Sequence, residues 1–110
     1  MGNNIKLIIF PVKDVDKAKT LYSTFLGVEP YVASTNYVGY KVGDLEVGLV
    51  PNGQDLVSYI EVDDIYSSLK ELEAAGAELH TDVKNVGRGV LVAAVKDADG
   101  NVLGLRQQSK

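Results

Sequence analysis

Two short stretches decide the fold: Val12-Lys-Asp14-Val15 and, fifty residues on, Val62-Asp-Asp64-Ile65. Each follows a strand-length apolar run, Ile5 to Val12 in one case and Leu56 to Val62 in the other. In each, the second aspartate or its equivalent stands where a helix N-cap belongs, because a short carboxylate can accept from the free amides of the first turn. Behind Asp14, Val15, Ala18, Leu21, Tyr22, Phe25 and Leu26 recur at three- and four-residue spacing, one apolar stripe of an amphipathic helix. Gly27 stops it. Behind Asp64 the stripe is Ile65, Leu69, Leu72 and Ala75, and Gly76 closes it.

The remaining pattern repeats as well. Glu29 to Val32 reads as a short strand, and Tyr37 to Val42 with Leu45 to Val50 as a hairpin across Gly43-Asp44. In the second half Glu78 to Val83 is a short strand. Val90 to Val95 and Val102 to Gln107 form a closing hairpin across an Asp-Gly turn. Gly27-Val28 corresponds to Gly76-Ala77, and Gly48-Leu49 to Gly104-Leu105. A repeat of this period settles the fold before any local reading. Pro51-Asn-Gly-Gln54 is the internal boundary. The expectation is one α+β domain over residues 1–110, built from two tandem βαβββ modules, about 4–51 and 55–108. Their sheets would form a curved mixed sheet around a cleft, with the helices on the outer face. A glycine in mid-strand, as at Gly104, marks a bulge or a close approach to the backbone. Pro11 cannot donate to a ladder, so its end of the first strand is expected at an edge or a bulge.

Composition narrows the partners. The 110 residues carry a net charge of −4, with eleven scattered basic residues and no basic stripe. That disfavours nucleic acid, whose phosphates are bound chiefly by clustered Lys and Arg. With no cysteine, disulfides, thiolate catalysis and Cys-based metal sites are excluded. No apolar run approaches a membrane span, and the first residues lack the apolar core of a signal peptide, so a cytoplasmic protein is expected.

The run Phe10-Pro-Val-Lys-Asp-Val-Asp-Lys-Ala-Lys-Thr-Leu-Tyr-Ser-Thr-Phe-Leu-Gly27 resembles the opening signature of the glyoxalase, bleomycin-resistance and extradiol dioxygenase superfamily, the vicinal oxygen chelate fold. Tyr59-Ile-Glu-Val-Asp-Asp-Ile65 resembles the start of its second module, and Lys96 to Leu105 its closing hairpin. The resemblance implies a divalent ion bound by His or Glu side chains from the first and last strands of each module. Carried onto this chain, those positions are Leu7, Gly48, Val57 and Gly104. None has a side chain that can coordinate a cation, and a shift of one residue offers nothing better. No metal site and no cofactor are therefore expected.

Strand alternation puts Val57, Tyr59 and Glu61 on one face and Ser58, Ile60 and Val62 on the face that meets the helices. Leu7, Ile9, Gly48, Gly104 and Arg106 fall on the first of these, so an Arg106–Glu61 pair is possible there. Glu61, or a tyrosine beside it, is a candidate for acid–base work. Tyr37, Tyr40 and Tyr59 are the expected aromatic wall, and the glycines at positions 48 and 104 are expected to widen the cleft. Tyr22 belongs to the core. The lone histidine, His80, and the turn Asp97 to Asn101 read as surface features rather than sites. Gly87-Arg88-Gly89 reads as a connection. The functional expectation is a small-molecule binding protein without a metal. The alternatives are a lyase, isomerase or dioxygenase acting on a small oxygenated substrate, and a non-catalytic oligomerising subunit. A homodimer is expected.

Overall fold

The structure is a computed structural model that describes residues 4–109. Ten elements follow one another: β1 (Ile5–Val12), α1 (Val15–Leu26), β2 (Val32–Ala33), β3 (Val38–Val42), β4 (Leu45–Pro51), β5 (Val57–Glu61), α2 (Ile65–Ala74), β6 (Glu78–Asn85), β7 (Leu91–Lys96) and β8 (Val102–Gln107). The chain divides into two compact units, one spanning Lys6–Val57 and the other containing Ser58 onward. Each is a βαβββ module, and the α+β class read from the repeat is the class observed.

In the first unit the strand order is β2-β3-β4-β1. The first strand pairs in parallel with the last, with Ile9 opposite Gly48 and Pro11 opposite Val50. The β3–β4 hairpin is antiparallel, and Gly43 turns it with a φ of 61°. Helix α1 starts where expected: the Asp14 carboxylate accepts from the Lys17 amide at 3.1 Å. It ends at Gly27, whose φ of 73° suits a residue without a Cβ. The sheet face under α1 buries Val38, Tyr40, Val47 and Leu49 together with Ala18, and Val12, Val15, Tyr22 and Leu26 pack against them. Two members of the predicted stripe lie outside this core: Leu21 is 65% exposed and Phe25 75%. The apolar arc of the helix is wider than the strip of sheet it covers. Tyr22 meets Phe10 at 5.2 Å between ring centroids, in a tilted pair.

Strand β2 is shorter and later than the sequence reading placed it, at Val32–Ala33 instead of Glu29 to Val32. Pro30 has no amide to donate, so pairing begins only beyond it, with the Tyr31 amide reaching the Gly39 carbonyl at 2.9 Å.

The second unit repeats the plan in the order β5-β8-β7-β6. Strand β5 runs parallel to β8, with Tyr59 opposite Gly104 and Glu61 opposite Arg106. Helix α2 packs Ile65, Leu69 and Leu72 onto Val62, Ala93, Val95 and Leu105. Its first turn is fully engaged. Asp64 accepts from the Tyr66 and Ser67 amides, and the Gln107 side-chain oxygen accepts from the Ile65 amide at 2.8 Å. Strand β6 runs two residues further than predicted, to Asn85, and its register against β7 shifts twice. The closing turn is held by Asp97, whose carboxylate accepts from the Asp99 and Asn101 amides and from the Asn101 side chain. The Asn101 side-chain bond is the chief reason its acidity is raised, so its pKa lies below the usual carboxylate range.

Tyr40 departs from the sequence reading. It is fully buried on the helix side of β3. Its hydroxyl donates to the Lys19 carbonyl at 3.0 Å and is 2.8 Å from the Ser23 hydroxyl, with which it shares a hydrogen bond. It is two residues from the buried Val38, and in a strand an even spacing keeps the face. Tyr40 is thus a core residue, not part of a ligand-facing wall. Substituting Tyr40→Phe is expected to destabilise the protein by about 1–2 kcal/mol, since it strands the partners of a part-buried hydroxyl. Urea unfolding checks this, and ligand affinity should be unchanged in the same variant.

Candidate functional site

With α1 and α2 covering one face of their sheets, the opposite faces carry the residues singled out in the sequence. In the first unit Leu7, Ile9, Glu46, Gly48, Gly39 and Lys41 share that face by alternation from the buried Val38, Tyr40, Val47 and Leu49. A Cβ placed on Gly48 would lie 2.7 Å from Ile9 Cδ1, from Tyr37 Cε1 and from the Tyr37 hydroxyl. A Cβ on Gly39 would lie 2.8 Å from the Tyr37 ring and 2.9 Å from the Tyr31 ring. Both tyrosines donate to the same carboxylate oxygen, Glu46 Oε2; the Tyr31 bond measures 2.6 Å. The Lys41 ammonium sits 4.9 Å from the centre of the Tyr31 ring, a cation–π contact.

The second unit carries a similar arrangement. Tyr59 and Gly104 are register partners, and Gly104 continues the ladder to Ala94 without a bulge. A Cβ on Gly104 would fall 2.6 Å from Tyr59 Cε1 and 2.8 Å from Cγ, with Cδ1 nearer still. Here the close approach that a mid-strand glycine signals is a tyrosine ring on the same sheet. Two register pairs further, on the same face, Arg106 donates to Glu61 Oε1 through Nε at 2.9 Å and Nη2 at 2.6 Å, and Gln108 Nε2 adds a third donor at 3.1 Å. The other carboxylate oxygen, Oε2, is shielded from solvent and has no hydrogen-bond partner among the described residues. Such an oxygen forgoes its hydration without compensation. Burial pushes the Tyr59 phenol above the usual tyrosine pKa, opposed by the neighbouring Arg106 charge.

Of the residues named from the sequence, Ile9 and Gly48 come together in the first unit, and Tyr59, Gly104, Glu61 and Arg106 in the second. Val57 and Leu7 contribute only aliphatic side chains. The glycines do not open space as expected, because tyrosine rings cover both. Sequence reasoning missed Tyr31, Glu46 and Gln108. Glu46 was within reach, since it stands two residues before Gly48 and so shares its face. His80 is exposed on β6.

The Glyoxalase/Bleomycin resistance protein/Dioxygenase superfamily model matches residues 4–105. This chain belongs to that superfamily. A search of curated proteins finds no match to it. Among solved structures, methylmalonyl-CoA epimerase from Mycobacterium tuberculosis is similar at 16% identity and a TM-score of 0.75, over 99% of this chain and 90% of that one. A superfamily member from Vibrio splendidus 12B01 shares 17% identity with a TM-score of 0.71, over 96% and 100% of the two chains. A variant of the Streptomyces coelicolor epimerase, in complex with 2-nitronate-propionyl-CoA, shares 14% identity with a TM-score of 0.71 over the whole of both chains. At these identities the likeness is one of fold.

The superfamily implies a divalent ion, and the residues at the corresponding positions do not fit one. Leu7, Gly48, Val57 and Gly104 offer no donor side chain, and Tyr37 and Tyr59 lie where longer side chains at positions 48 and 104 would leave the backbone. No group of three or more His, Cys, Asp or Glu side chains arranged to hold an ion occurs among the described residues.

The raised Tyr59 pKa has a stability consequence. A phenol whose folded pKa exceeds its unfolded value stabilises the fold fully below about pH 10, and that contribution is lost as pH rises through the folded pKa. Ultraviolet titration should therefore show that a phenol ionising above the ordinary range in the wild type is missing in Tyr59→Phe. Stability of the wild type should fall more steeply than that of the variant as pH rises past 10.

Proposed function

We propose that this protein binds a small molecule on the helix-free faces of its sheets, and does so without a metal ion. The observation that carries this reading is the pairing of Gly48 with Tyr37 and of Gly104 with Tyr59 at two positions where the superfamily's metal ligands stand. Tyrosine there supplies an apolar ring and one polar handle, which suits contact with an organic ligand. The polar groups beside the rings, Glu46 in one unit and Glu61 with Arg106 in the other, would orient it. Similar proteins support the ligand class only broadly, one of them being an epimerase variant in complex with a CoA ester analogue. Metal analysis of the purified protein is expected to find no stoichiometric Ni, Zn, Fe or Mn. A tightly held equivalent of any of these would overturn the reading.

A second reading, a lyase or isomerase working by proton transfer on a small oxygenated substrate, is favoured by one observation. Glu61 holds Oε1 in three hydrogen bonds and leaves Oε2 without a partner. A carboxylate fixed through one oxygen keeps the other as a proton acceptor, which a substrate would reach by displacing the groups that shield it. Dihydroxyacetone in D2O, followed by proton NMR, tests it. Accelerated exchange of the carbon-bound protons by the wild type, lost in Glu61→Gln, would establish catalysis. Exchange at the rate of buffer alone would leave binding as the function.

A further inference from the structure

The contact at Gly104 has a particular form. Three successive atoms of the Tyr59 ring, Cγ, Cδ1 and Cε1, lie at nearly the same short distance from the place a Cβ would take. An edge approaching that point would bring one atom near and leave its neighbours clearly farther away. The ring therefore presents its face to the Gly104 backbone. It can lie this low only because residue 104 has no side chain, and the parallel register that sets Tyr59 against Gly104 holds it there. Tyr59 is only partly buried, and Glu61 and Arg106 bond to each other on the same face.

From this we infer that Tyr59 is a flat stacking platform seated on Gly104, and that the ligand class it selects is planar and unsaturated. This rests on the small-molecule reading above and deepens it. A ring lying against its own sheet turns its other face away from the backbone, and a second π-system gains from that face what a puckered aliphatic ring of equal size does not. Gly104 is then a positioning residue. It touches no ligand, but any side chain there lifts the ring.

The test compares two alcohols of one size and one hydroxyl, 2-naphthol and trans-2-decalol, binding to the full chain by calorimetry. The wild type is expected to bind 2-naphthol about 5-fold more tightly than trans-2-decalol, the preference that an aromatic pair supplies beyond buried area. The preference should persist in Tyr59→Phe, which keeps the ring, and fall to about 1-fold in Tyr59→Leu. Gly104→Ala should lose it as well. If that variant does not fold, the two Tyr59 variants decide the matter alone. Equal binding of both alcohols by the wild type, or a preference that survives Tyr59→Leu, overturns the platform and leaves the binding reading standing. Binding of neither alcohol, with no rise in apparent melting temperature at saturating concentrations, counts against both.

Discussion

The parallel pairing of the first strand of each module with its last is the contact on which the rest depends. It sets Ile9 beside Gly48 in one unit, and Tyr59 beside Gly104 and Glu61 beside Arg106 in the other. Those residues are about forty or more positions apart in the chain. Bringing them together requires the helix and two further strands to be in place, so the candidate site forms only when the module does. The same pairing carries the core, since the strands that aim Tyr59 and Glu61 one way aim Ile60 and Val62 toward the helix.

The two faces of each sheet differ sharply in character. On the helix side the residues are aliphatic and closely packed, and the polar exceptions are satisfied, as Tyr40 is by Ser23 and Lys19. On the opposite side lie tyrosines, glycines, carboxylates and an arginine, including the buried Glu61 Oε2, which has no hydrogen-bond partner among the described residues. Unsatisfied polar atoms and backbone-hugging rings contribute little to a fold. Their concentration on one face is what an organic ligand would exploit.

Positions 48 and 104 depart from the superfamily's metal-ligand pattern both sterically and chemically. Glycine at positions 48 and 104 offers no donor side chain, and the rings of Tyr37 and Tyr59 occupy the space beside the backbone. Each change makes the other tolerable. A side chain at either position would meet a ring, and a ring could not lie so low over any other residue. A donor side chain at either site thus demands a second change.

The βαβββ repeat, the helix caps at Asp14 and Asp64, the closing hairpin and the class of fold were all legible in the sequence, because each rests on local chemistry: a carboxylate over free amides, an apolar period, an Asp-Gly turn. So was the common face of Glu61 and Arg106, since strand alternation is strict. The face of Tyr40 follows from the same rule, because spacing along the strand, and not residue kind, decides which tyrosines share a face. What only the tertiary structure decided is what covers the glycines and which oxygens are satisfied. A glycine in a strand looks like empty space in a sequence. Whether a neighbour fills that space depends on the register between strands far apart in the chain, and no local pattern encodes that register.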